Sequence, residues 1–315
     1  MISKIQTIKE EVAKVVVGQD KMIDGLLVAL LCEGHILIEG VPGLAKTTTV
    51  NALSKSLGLE FKRVQFTPDL LPSDILGAEI YDPQQNNFKI KKGPIFTNLL
   101  LADEINRAPA KVQSALLEVM QEKQITIGDT SFKLEPPFFV MATQNPVEQE
   151  GVYQLPEAQL DRFMLKIVVD YNTKEEELEI AKRISSGKIQ EIKPVVTHAE
   201  LEELKGEIKN IHIDDEVQKY IIELVSATRN PSEYKLEELE NYIHFGASPR
   251  VSIDMFKAVK AMAYLRGKEF VTPVDVAYIA KEIMRHRIVL TYEAEAEGIT
   301  TDEIIQKVLE TVAIP

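Results

Sequence analysis

The segment GVPGLAKT, residues 40 to 47, brings together the residue types that bind phosphate groups. Glycines let successive backbone N–H groups turn toward an anion, and the positive end of a following helix adds to the attraction. Lys46 supplies a cation for the outer phosphates, and Thr47 supplies a hydroxyl oxygen for Mg²⁺. The segment departs from the pattern G-x-x-x-x-G-K-[ST] only at Ala45, where the second glycine is expected. An ordinary turn between a strand and a helix is the alternative.

A second set of candidates ends the apolar segment NLLLADE, residues 98 to 104. A buried strand here would deliver the Asp103 carboxylate to its end, where it can hold Mg²⁺ or its water shell. Glu104 is then placed to orient and deprotonate an attacking water. For this segment alone, an acidic strand end that caps a loop is the alternative. Together with the first segment, the two carboxylates complete the minimal set for cleaving a β–γ phosphate bond: a cradle, a cation, a metal ligand and a base.

Three further polar side chains follow at places that a hydrolytic site would use. Asn145 comes after the apolar segment FFVMATQ and could hold the water against Glu104. Arg162 precedes the apolar segment FMLKIVV, and Arg250 ends the segment GASPR at the start of a predicted helix. Each has a structural alternative: Asn-Pro is a common turn, Arg162 could pair with Asp161, and Arg250 could be a solvated first-turn residue. Their order and spacing therefore matter more than their identity.

The elements that must position these residues alternate between strand and helix in the first half of the chain. Apolar segments separated by helical ones form parallel sheets that are covered on both faces, so we expect an α/β fold with five core strands. The predicted strands lie within residues 35–39, 61–66, 98–104, 137–145 and 163–169. Two more β-prone segments, 79–90 and 124–134, are predicted to be hairpins inserted into this fold.

The second half is predicted to be all helical. Apolar residues recur there at helical spacing, and Pro249 and Pro273 lie near predicted helix starts. We expect helices at 174–185, 198–209, 214–228, 249–266 and 273–287, followed by a short helix pair after Tyr292. Because single cores rarely exceed about 250–300 residues, a chain of 315 residues should form two domains. We place the α/β domain at residues 1–171 and the helical lid domain at residues 172–315.

The composition argues against several classes of protein. A net charge of −13 disfavours a broad nucleic-acid-binding face, which needs clustered Lys and Arg. The one cysteine, Cys32, cannot form an intrachain disulfide and is expected to be a buried free thiol, as in a reducing compartment. The first residues are predicted to form an amphipathic helix rather than a signal peptide, and no run approaches the roughly 20 apolar residues of a membrane span. We therefore expect a soluble, cytoplasmic protein without membrane insertion, and the histidine spacings indicate no transition-metal site.

Taken together, these segments resemble those of the AAA+ ATPases, and more narrowly those of the MoxR family. The resemblance covers nearly the whole chain and depends on GVPGLAKT, ADEINRAPAKVQSALLEVMQE, ATQNPVEQEGVYQLPEAQLDRF and GASPR. In AAA+ terms GVPGLAKT is similar to Walker A and LLLADE to Walker B. Asn145 is similar to sensor 1, Arg162 to the arginine finger and Arg250 to sensor 2, while VVVGQ, residues 15 to 19, resembles the segment that lines the adenine.

The resemblance implies that the cofactors are ATP and Mg²⁺. The catalytic residues that it implies are Lys46, Glu104, Asn145, Arg162 and Arg250, and the implied metal ligands are Thr47 and Asp103. The implied nucleotide-binding residues are Val17, Gly18, Gln19, Gly40, Val41, Pro42, Gly43, Leu44, Ala45, Lys46, Thr47 and Thr48. Alanine before the lysine is usual in the family. Because alanine adopts a positive φ only with strain, we expect an ordinary backbone conformation at Ala45.

Beyond a single site, the resemblance implies an assembly. In AAA+ proteins the residue that matches Arg162 enters the site of the neighbouring subunit, so we expect a ring, in general a hexamer. The family acts like a chaperone on protein complexes, often with a partner that contains a von Willebrand factor A domain. The two hairpins match insertions of this clade and would face a pore or a partner.

Three other functions stay open at this point. A magnesium-chelatase-like ATPase subunit shares the same clade. A nucleotide-dependent binding switch would hold ATP and hydrolyse it too slowly to do work. A nucleic-acid remodeller would fit the two hairpins and the basic segment FKIKKG, residues 88 to 93, but not the charge balance of the chain.

Overall fold

The computed structural model describes residues 2–146, 151–187 and 190–315, except the side chains of residues 2 and 3. The strands are β1 (Ile36–Glu39), β2 (Phe61–Gln65), β3 (Gly77–Asp82), β4 (Asn87–Lys92), β5 (Leu99–Asp103), β6 (Gln124–Ile127), β7 (Thr130–Lys133), β8 (Phe139–Gln144), β9 (Leu165–Val168), β10 (Ile243–Phe245) and β11 (Val289–Leu290). The helices are α1 (Ile2–Ala13), α2 (Asp20–Leu31), α3 (Lys46–Ser56), α4 (Pro72–Leu76), α5 (Ala110–Glu122), α6 (Glu157–Leu160), α7 (Lys174–Ser185), α8 (His198–Lys209), α9 (Asp215–Ala227), α10 (Pro249–Leu265), α11 (Pro273–Met284), α12 (Tyr292–Glu297) and α13 (Thr301–Thr311).

Five parallel strands form the central sheet, in the order β2-β5-β8-β1-β9. Alternate residues of each strand pack on opposite faces: Leu37 and Leu100 belong to one core cluster, whereas Ile38 and Leu101 belong to the other. Burial on both faces explains why β1, β5 and β8 are mostly apolar in the sequence, whereas the partly buried strand β2 at the side of the sheet contains polar residues. The predicted α/β fold with five core strands is confirmed.

Two antiparallel hairpins project from this fold, as predicted. The pair β3–β4 occupies the first predicted hairpin segment, and β6–β7 occupies the second. Gly128 in the second turn has φ 57°, a left-handed conformation that favours glycine. On the first hairpin Tyr81 lies opposite Phe88, with 5.3 Å between the ring centroids, and both rings are exposed. This hairpin therefore presents apolar surface to its surroundings.

The second half consists mostly of helices, α7 to α13, as predicted. Helices α7, α8, α11 and α13 begin at threonine capping boxes, and the first residues of α10 and α11 are Pro249 and Pro273. This region also contains a small antiparallel pair of strands, β10–β11, which the sequence did not predict. The division of the chain after residue 171 stays a prediction. None of the described helices is long and apolar enough to cross a membrane.

The parallel sheet has two different edges, one at the carboxyl ends of the strands and one at their amino ends. Glu39, Asp103 and Gln144 end β1, β5 and β8 at the carboxyl edge. At the amino edge, the Met164 N–H donates to His35 O at 2.8 Å, directly before β9 and β1 begin. Since strands rise about 3.3 Å per residue, the two edges lie roughly 10 Å or more apart. Predicted site residues at opposite edges are therefore too far apart to contact the same phosphate group within one chain.

Candidate functional site

The loop between β1 and α3 starts at a glycine that the fold requires. A Cβ atom at Gly40 would lie 3.0 Å from Val169 O and 3.2 Å from Val169 Cβ, so a side chain there would press against the end of the neighbouring strand. Gly43 has φ 92°, which only glycine adopts readily, and nothing would lie within 4 Å of its Cβ. Pro42 and Thr48 are also exposed, whereas Leu44 is buried. The backbone of the loop is thus open to a ligand while Leu44 anchors it.

Ala45 does not have the ordinary conformation that the sequence led us to expect. Its φ of 55° and ψ of 18° lie in the left-handed region, directly before the first residue of α3. The expectation was wrong because the turn into the helix keeps its glycine-like geometry even when the residue is alanine. This conformation costs about 1–2 kcal/mol for a residue with a Cβ, and the surrounding loop must sustain it.

Lys46 lies at the N-terminus of α3, where free backbone N–H groups and the helix dipole favour an anion. Its Nζ donates to Gly40 O at 2.6 Å. Burial lowers the pKa of Lys46, while the carboxylates of Asp103, Glu104 and Glu39 act in the opposite direction. Thr47 follows in the first turn of the same helix.

Asp103 ends β5, and its two carboxylate oxygens have different partners. Thr143 Oγ1 donates to Oδ1 at 2.6 Å. Arg63 donates to Oδ2 from Nε at 3.0 Å and from Nη2 at 2.6 Å. The side chain of Arg63 is 47% exposed, so this partner can move away into solvent. Thr143 thus orients the Asp103 carboxylate through Oδ1, whereas Oδ2 becomes accessible when Arg63 moves away.

Glu104 turns sharply out of the strand. Its φ is 55°, and its N–H donates to Thr143 Oγ1 at 2.8 Å. Its Oε2 accepts from Gln65 Nε2 at 2.7 Å and from Arg107 Nη1 at 3.0 Å. Thr143 therefore contacts both acidic residues. Because the backbone turns at Glu104, its side chain has partners different from those of Asp103.

Asn145 lies at the same edge, directly after β8, and is 7% exposed. Strand β8 lies between β5 and β1 in the sheet, so Asn145 is placed between the strand that carries Asp103 and the strand that leads into the loop. The sequence stretch that contains Asn145 also includes residues 147–150, which lie outside the described residues. The order of strands brings the three predicted polar segments to one edge.

The segment Val17, Gly18 and Gln19 also lies at this edge. Asn172 Nδ2 donates to Val17 O at 3.1 Å, and Gln19 Nε2 donates to Asp170 O at 3.3 Å. Because residues 170 and 172 follow β9, these bonds place the segment next to the loop after β1, the neighbouring strand. The fold thus brings the predicted adenine-lining segment close to the predicted phosphate-binding loop.

Arg162 and Arg250 do not join this group within one chain. Arg162 lies before β9, at the amino edge of the sheet, and its side chain has no partner among the described residues. Arg250 is tied to the same edge, because its Nη1 lies 3.3 Å from both Asp161 O and Asp161 Oδ2. The alternative in which Arg162 pairs with Asp161 is not what the structure shows. Asp161 binds lid arginines instead.

The second of these arginines, Arg287, follows α11 and was not singled out from the sequence. Its side chain is 1% exposed, and its Nη2 donates to Asp161 O at 3.0 Å, to Phe163 O at 2.9 Å and to Asp254 Oδ2 at 2.6 Å. Its Nε lies 2.9 Å from Asp161 Oδ1, close enough for an ion pair but not aligned for a hydrogen bond. Arg287 thus fastens the helical region to the amino edge of the sheet.

Mg²⁺ requires oxygen ligands, and the residues at the carboxyl edge fit this requirement. Thr47 offers a hydroxyl group and Asp103 a carboxylate that Thr143 orients. Mg²⁺ in nucleotide sites usually keeps waters and phosphate oxygens and takes only one or two protein ligands. Within residues 2–146, 151–187 and 190–315, no cluster of three or more His, Cys, Asp or Glu side chains could hold a metal ion by itself.

Comparison with known proteins gives the class to which this fold and site belong. Residues 35–165 match the family described as "ATPase family associated with various cellular activities (AAA)", and residues 237–308 match the "AAA lid domain". A crystal structure from Cytophaga hutchinsonii, of a protein proposed to be an ATPase, has a TM-score of 0.94 and 54% identity and covers 100% of this chain and 96% of that one. The chain is therefore an AAA ATPase family member with a lid domain.

Its curated relatives narrow the class. Chaperone MoxR1 of Mycobacterium tuberculosis is 47% identical over 305 residues, which are 97% of this chain and 81% of the relative. Protein MoxR of Paracoccus denitrificans is 30% identical over 319 residues, which are 96% of this chain and 93% of the relative. The chain belongs to the MoxR family of AAA+ ATPases, as its sequence motifs indicated.

Proposed function

We propose that this chain binds ATP with Mg²⁺ at the carboxyl edge of its sheet and hydrolyses it to ADP and phosphate. The observation that supports the proposal most strongly is the order of the strands around Lys46. Strands β1 and β5 both pair in parallel with β8, so the Asp103 and Glu104 carboxylates lie at the same edge of the sheet as the loop that carries Lys46. Burial lowers the pKa of Lys46, and the charge of these carboxylates acts in the opposite direction. A cation, a metal ligand and a base in one place are what cleavage of a β–γ phosphate bond needs.

The roles of the residues follow from their positions. Backbone N–H groups at the end of the loop and in the first turn of α3, together with the Lys46 ammonium, bind the phosphates, and Thr47 and Asp103 hold the metal ion. When bound, Mg²⁺ would neutralise charge on the phosphate oxygens and orient them for in-line attack. Arg63 occupies Oδ2 of Asp103, so a metal ion that bound to this oxygen would displace Arg63.

Glu104 serves as the general base, and Asn145 positions the water. Glu104 takes a proton from the water as the water oxygen forms its bond to the γ-phosphorus, and the bond from that phosphorus to the bridging oxygen breaks to release ADP. The hydrogen bonds from Gln65 and Arg107 orient the Glu104 carboxylate. Both bonds end at Oε2, so we expect Oε1 to accept the proton.

Arg162 and Arg250 act on the neighbouring subunit. Both lie at the amino edge, away from the loop of their own chain, so neither belongs to the group of residues around Lys46. A site in which one chain supplies the loop and the next chain supplies two arginines requires a head-to-tail contact, and such contacts repeat until they close into a ring. We expect six subunits, as the family generally forms.

The ring would use hydrolysis to remodel a protein client, in a chaperone-like way. One relative carries the name chaperone, and the exposed hairpin β3–β4 offers apolar surface for a protein contact. The partner that we expect is a protein with a von Willebrand factor A domain. A cytoplasmic location also stays part of this proposal.

Replacement of Glu104 with Gln tests the proposed reaction. A glutamine keeps the size of the side chain but cannot accept the proton, so ATP should bind as in the unchanged chain while hydrolysis falls roughly 10²–10⁴-fold. Glu60→Gln is the matched control, because Glu60 directly precedes β2 and so lies at the amino edge of the same sheet, away from the proposed site. Calorimetry with ATP and a phosphate-release assay measure the two quantities. Unchanged hydrolysis in Glu104→Gln, or no ATP binding by the unchanged chain, would overturn the proposal.

A further inference from the structure

Asp161 is the acceptor at which two lid arginines meet, directly beside Arg162. Arg250 bonds to its main-chain oxygen and to Oδ2, and Arg287 bonds to its main-chain oxygen and lies against Oδ1. Ser248 Oγ adds a hydrogen bond to Oδ1 at 3.1 Å. Among the described residues, every partner of the carboxylate thus comes from the lid, although Asp161 itself belongs to the segment that carries Arg162.

The two arginines differ in solvent exposure and in the number of their N–H groups that form hydrogen bonds. Arg287 is buried, donates to three carbonyl oxygens and pairs with two carboxylates, so it is a fixed part of the junction. Arg250 is 45% exposed, and among the described residues it forms hydrogen bonds only through Nη1. A guanidinium group has five N–H donors in a rigid fork. Asp161 can therefore hold Arg250 from one side while the other donors face outward.

We propose that Asp161 is a positioning residue that holds Arg250 beside Arg162, so that the two arginines enter the site of the neighbouring subunit together. The proposal rests on the proposed function, in which both arginines act in trans. A flexible arginine that is misplaced by about 1 Å can cost a reaction roughly 100-fold in rate. The bonds to Asp161 restrict the conformations of the Arg250 side chain and so keep its guanidinium group in place.

The charges of the cluster fit this role. Arg162, Arg250 and Arg287 carry three positive charges, whereas Asp161 and Asp254 carry two negative charges. The excess of one positive charge remains on the exposed side, since Arg287 and Asp254 neutralise each other in the interior. An anionic phosphate chain of a neighbouring subunit is therefore attracted to this edge in spite of the two acids.

Asp161→Asn is the variant that tests the role. The amide can still accept from Ser248 but lacks the charge that orients Arg250. ATP binding should be unchanged, and hydrolysis per assembled chain should fall roughly 10- to 100-fold. Asp161→Glu, which keeps the charge, should restore part of the rate. Asp254→Asn is the matched control, because Asp254 bonds to Arg287 but has no hydrogen bond to Arg250. Its hydrolysis rate should stay within about threefold of the unchanged chain.

Mixed rings separate positioning from a general weakening of the lid. The donor chain is Lys46→Ala, which cannot bind phosphate but keeps its arginines, and the acceptor chain is Arg162→Ala, which keeps its loop. Only a site with the loop of the acceptor and the arginines of the donor can hydrolyse ATP. Adding Asp161→Asn to the donor chain should lower the mixed activity roughly 10- to 100-fold, whereas adding it to the acceptor chain should not, since that chain contributes no arginine to a working site.

Each outcome has a distinct meaning once sedimentation shows that all mixtures assemble equally. No activity on mixing the donor and acceptor chains overturns the trans arrangement itself, and with it this proposal. Activity that is insensitive to Asp161→Asn in the donor overturns the positioning role alone. An equal loss from either chain shows that Asp161 only stabilises the junction, and that result also overturns the proposal.

Discussion

At the scale of single residues, Ala45 shows how much backbone geometry the loop imposes. It takes a φ of 55° although a Cβ disfavours that conformation. Glycine at this position should keep the loop and relieve the strain, so Ala45→Gly should bind ATP at least as well and melt at the same or a higher temperature. Ala45→Val should bind ATP at least 10-fold more weakly, because a β-branched residue at this φ is a severe outlier. Calorimetric titration and thermal denaturation check both variants.

One result with the two Ala45 variants would contradict this prediction. If Ala45→Val bound ATP as well as Ala45→Gly, the left-handed conformation would not be needed for phosphate binding. Ile222→Val is a suitable control, since Ile222 is an exposed β-branched residue within the regular helix α9, outside the loop. Its substitution by another β-branched residue leaves the backbone preference unchanged.

His35 is a buried residue that should make stability depend on pH. Burial lowers the pKa of His35 to about 4 from its usual 6.5. Its two ring nitrogens contact the Met120 carbonyl and the Val140 N–H, which suits a neutral imidazole. Because the folded pKa lies below the unfolded one, the unfolded chain takes up the proton first as the pH falls. The stability from His35 is complete above about pH 6.5 and is lost as the pH falls toward 4.

The expected loss between pH 7.5 and pH 5 is roughly 2 kcal/mol for this one group. Urea denaturation at the two pH values measures it as a difference in the free energy of unfolding. His35→Gln should be less stable than the unchanged chain at pH 7.5 but should lose less stability on acidification. An equal loss in the two proteins would show that His35 is not protonated on unfolding.

The residues that we propose for the chemistry could be singled out from the sequence, but the residues that contact them could not. Lys46, Asp103 and Asn145 each follow an apolar segment, and parallel strands bring such segment ends to one edge. Arg63 and Gln65 alternate on β2 and reach the acidic pair only because β2 lies next to β5. The order of strands in a sheet is a long-range property, so no local pattern indicates these contacts.

At the scale of elements, the prediction succeeded where periodicity is strong. The helices α7 and α8 have the predicted bounds, and α9, α10 and α11 begin or end within one to three residues of them. The pair β10–β11 was missed because strands of two or three residues are too short to show an alternating pattern. The left-handed Ala45 was missed because tertiary context, not composition, fixes its backbone.

The junction between the sheet and the helical region depends on Arg287. Removal of this buried arginine would leave Asp254 unpaired, and burial already raises the pKa of that carboxyl group. Arg287→Met should therefore lower the free energy of unfolding by about 3–5 kcal/mol. The double variant Arg287→Met, Asp254→Leu should recover part of this loss, because no buried charge is then left alone.

Arg285→Met is the comparison for this prediction. Arg285 also bonds a sheet carbonyl, Lys166 O, but its partner Asp302 is 40% exposed and can be hydrated when the arginine is removed. The cost should be clearly smaller than for Arg287→Met in the same urea titration. A larger cost for Arg285→Met would contradict the view that Arg287 is the main fastening of the junction.

At the scale of the whole molecule, the proposed function divides one site between the two edges of the sheet. The loop, the acidic pair and Asn145 lie at the carboxyl edge, and the arginines lie at the amino edge. One chain therefore holds both parts but cannot bring them together. Two chains in head-to-tail contact can, and the closed ring that follows would have a complete site at every contact.

The measurement that tests this account most directly is the ATP hydrolysis rate per chain as a function of protein concentration, with assembly followed by analytical ultracentrifugation. We predict that the rate per chain rises with the assembled fraction, by roughly 10³-fold or more, and that Arg162→Ala assembles equally but stays at the rate of the isolated chain. A low rate that is independent of concentration, or assembled Arg162→Ala as active as the unchanged chain, would contradict the account and favour a slow nucleotide-dependent switch.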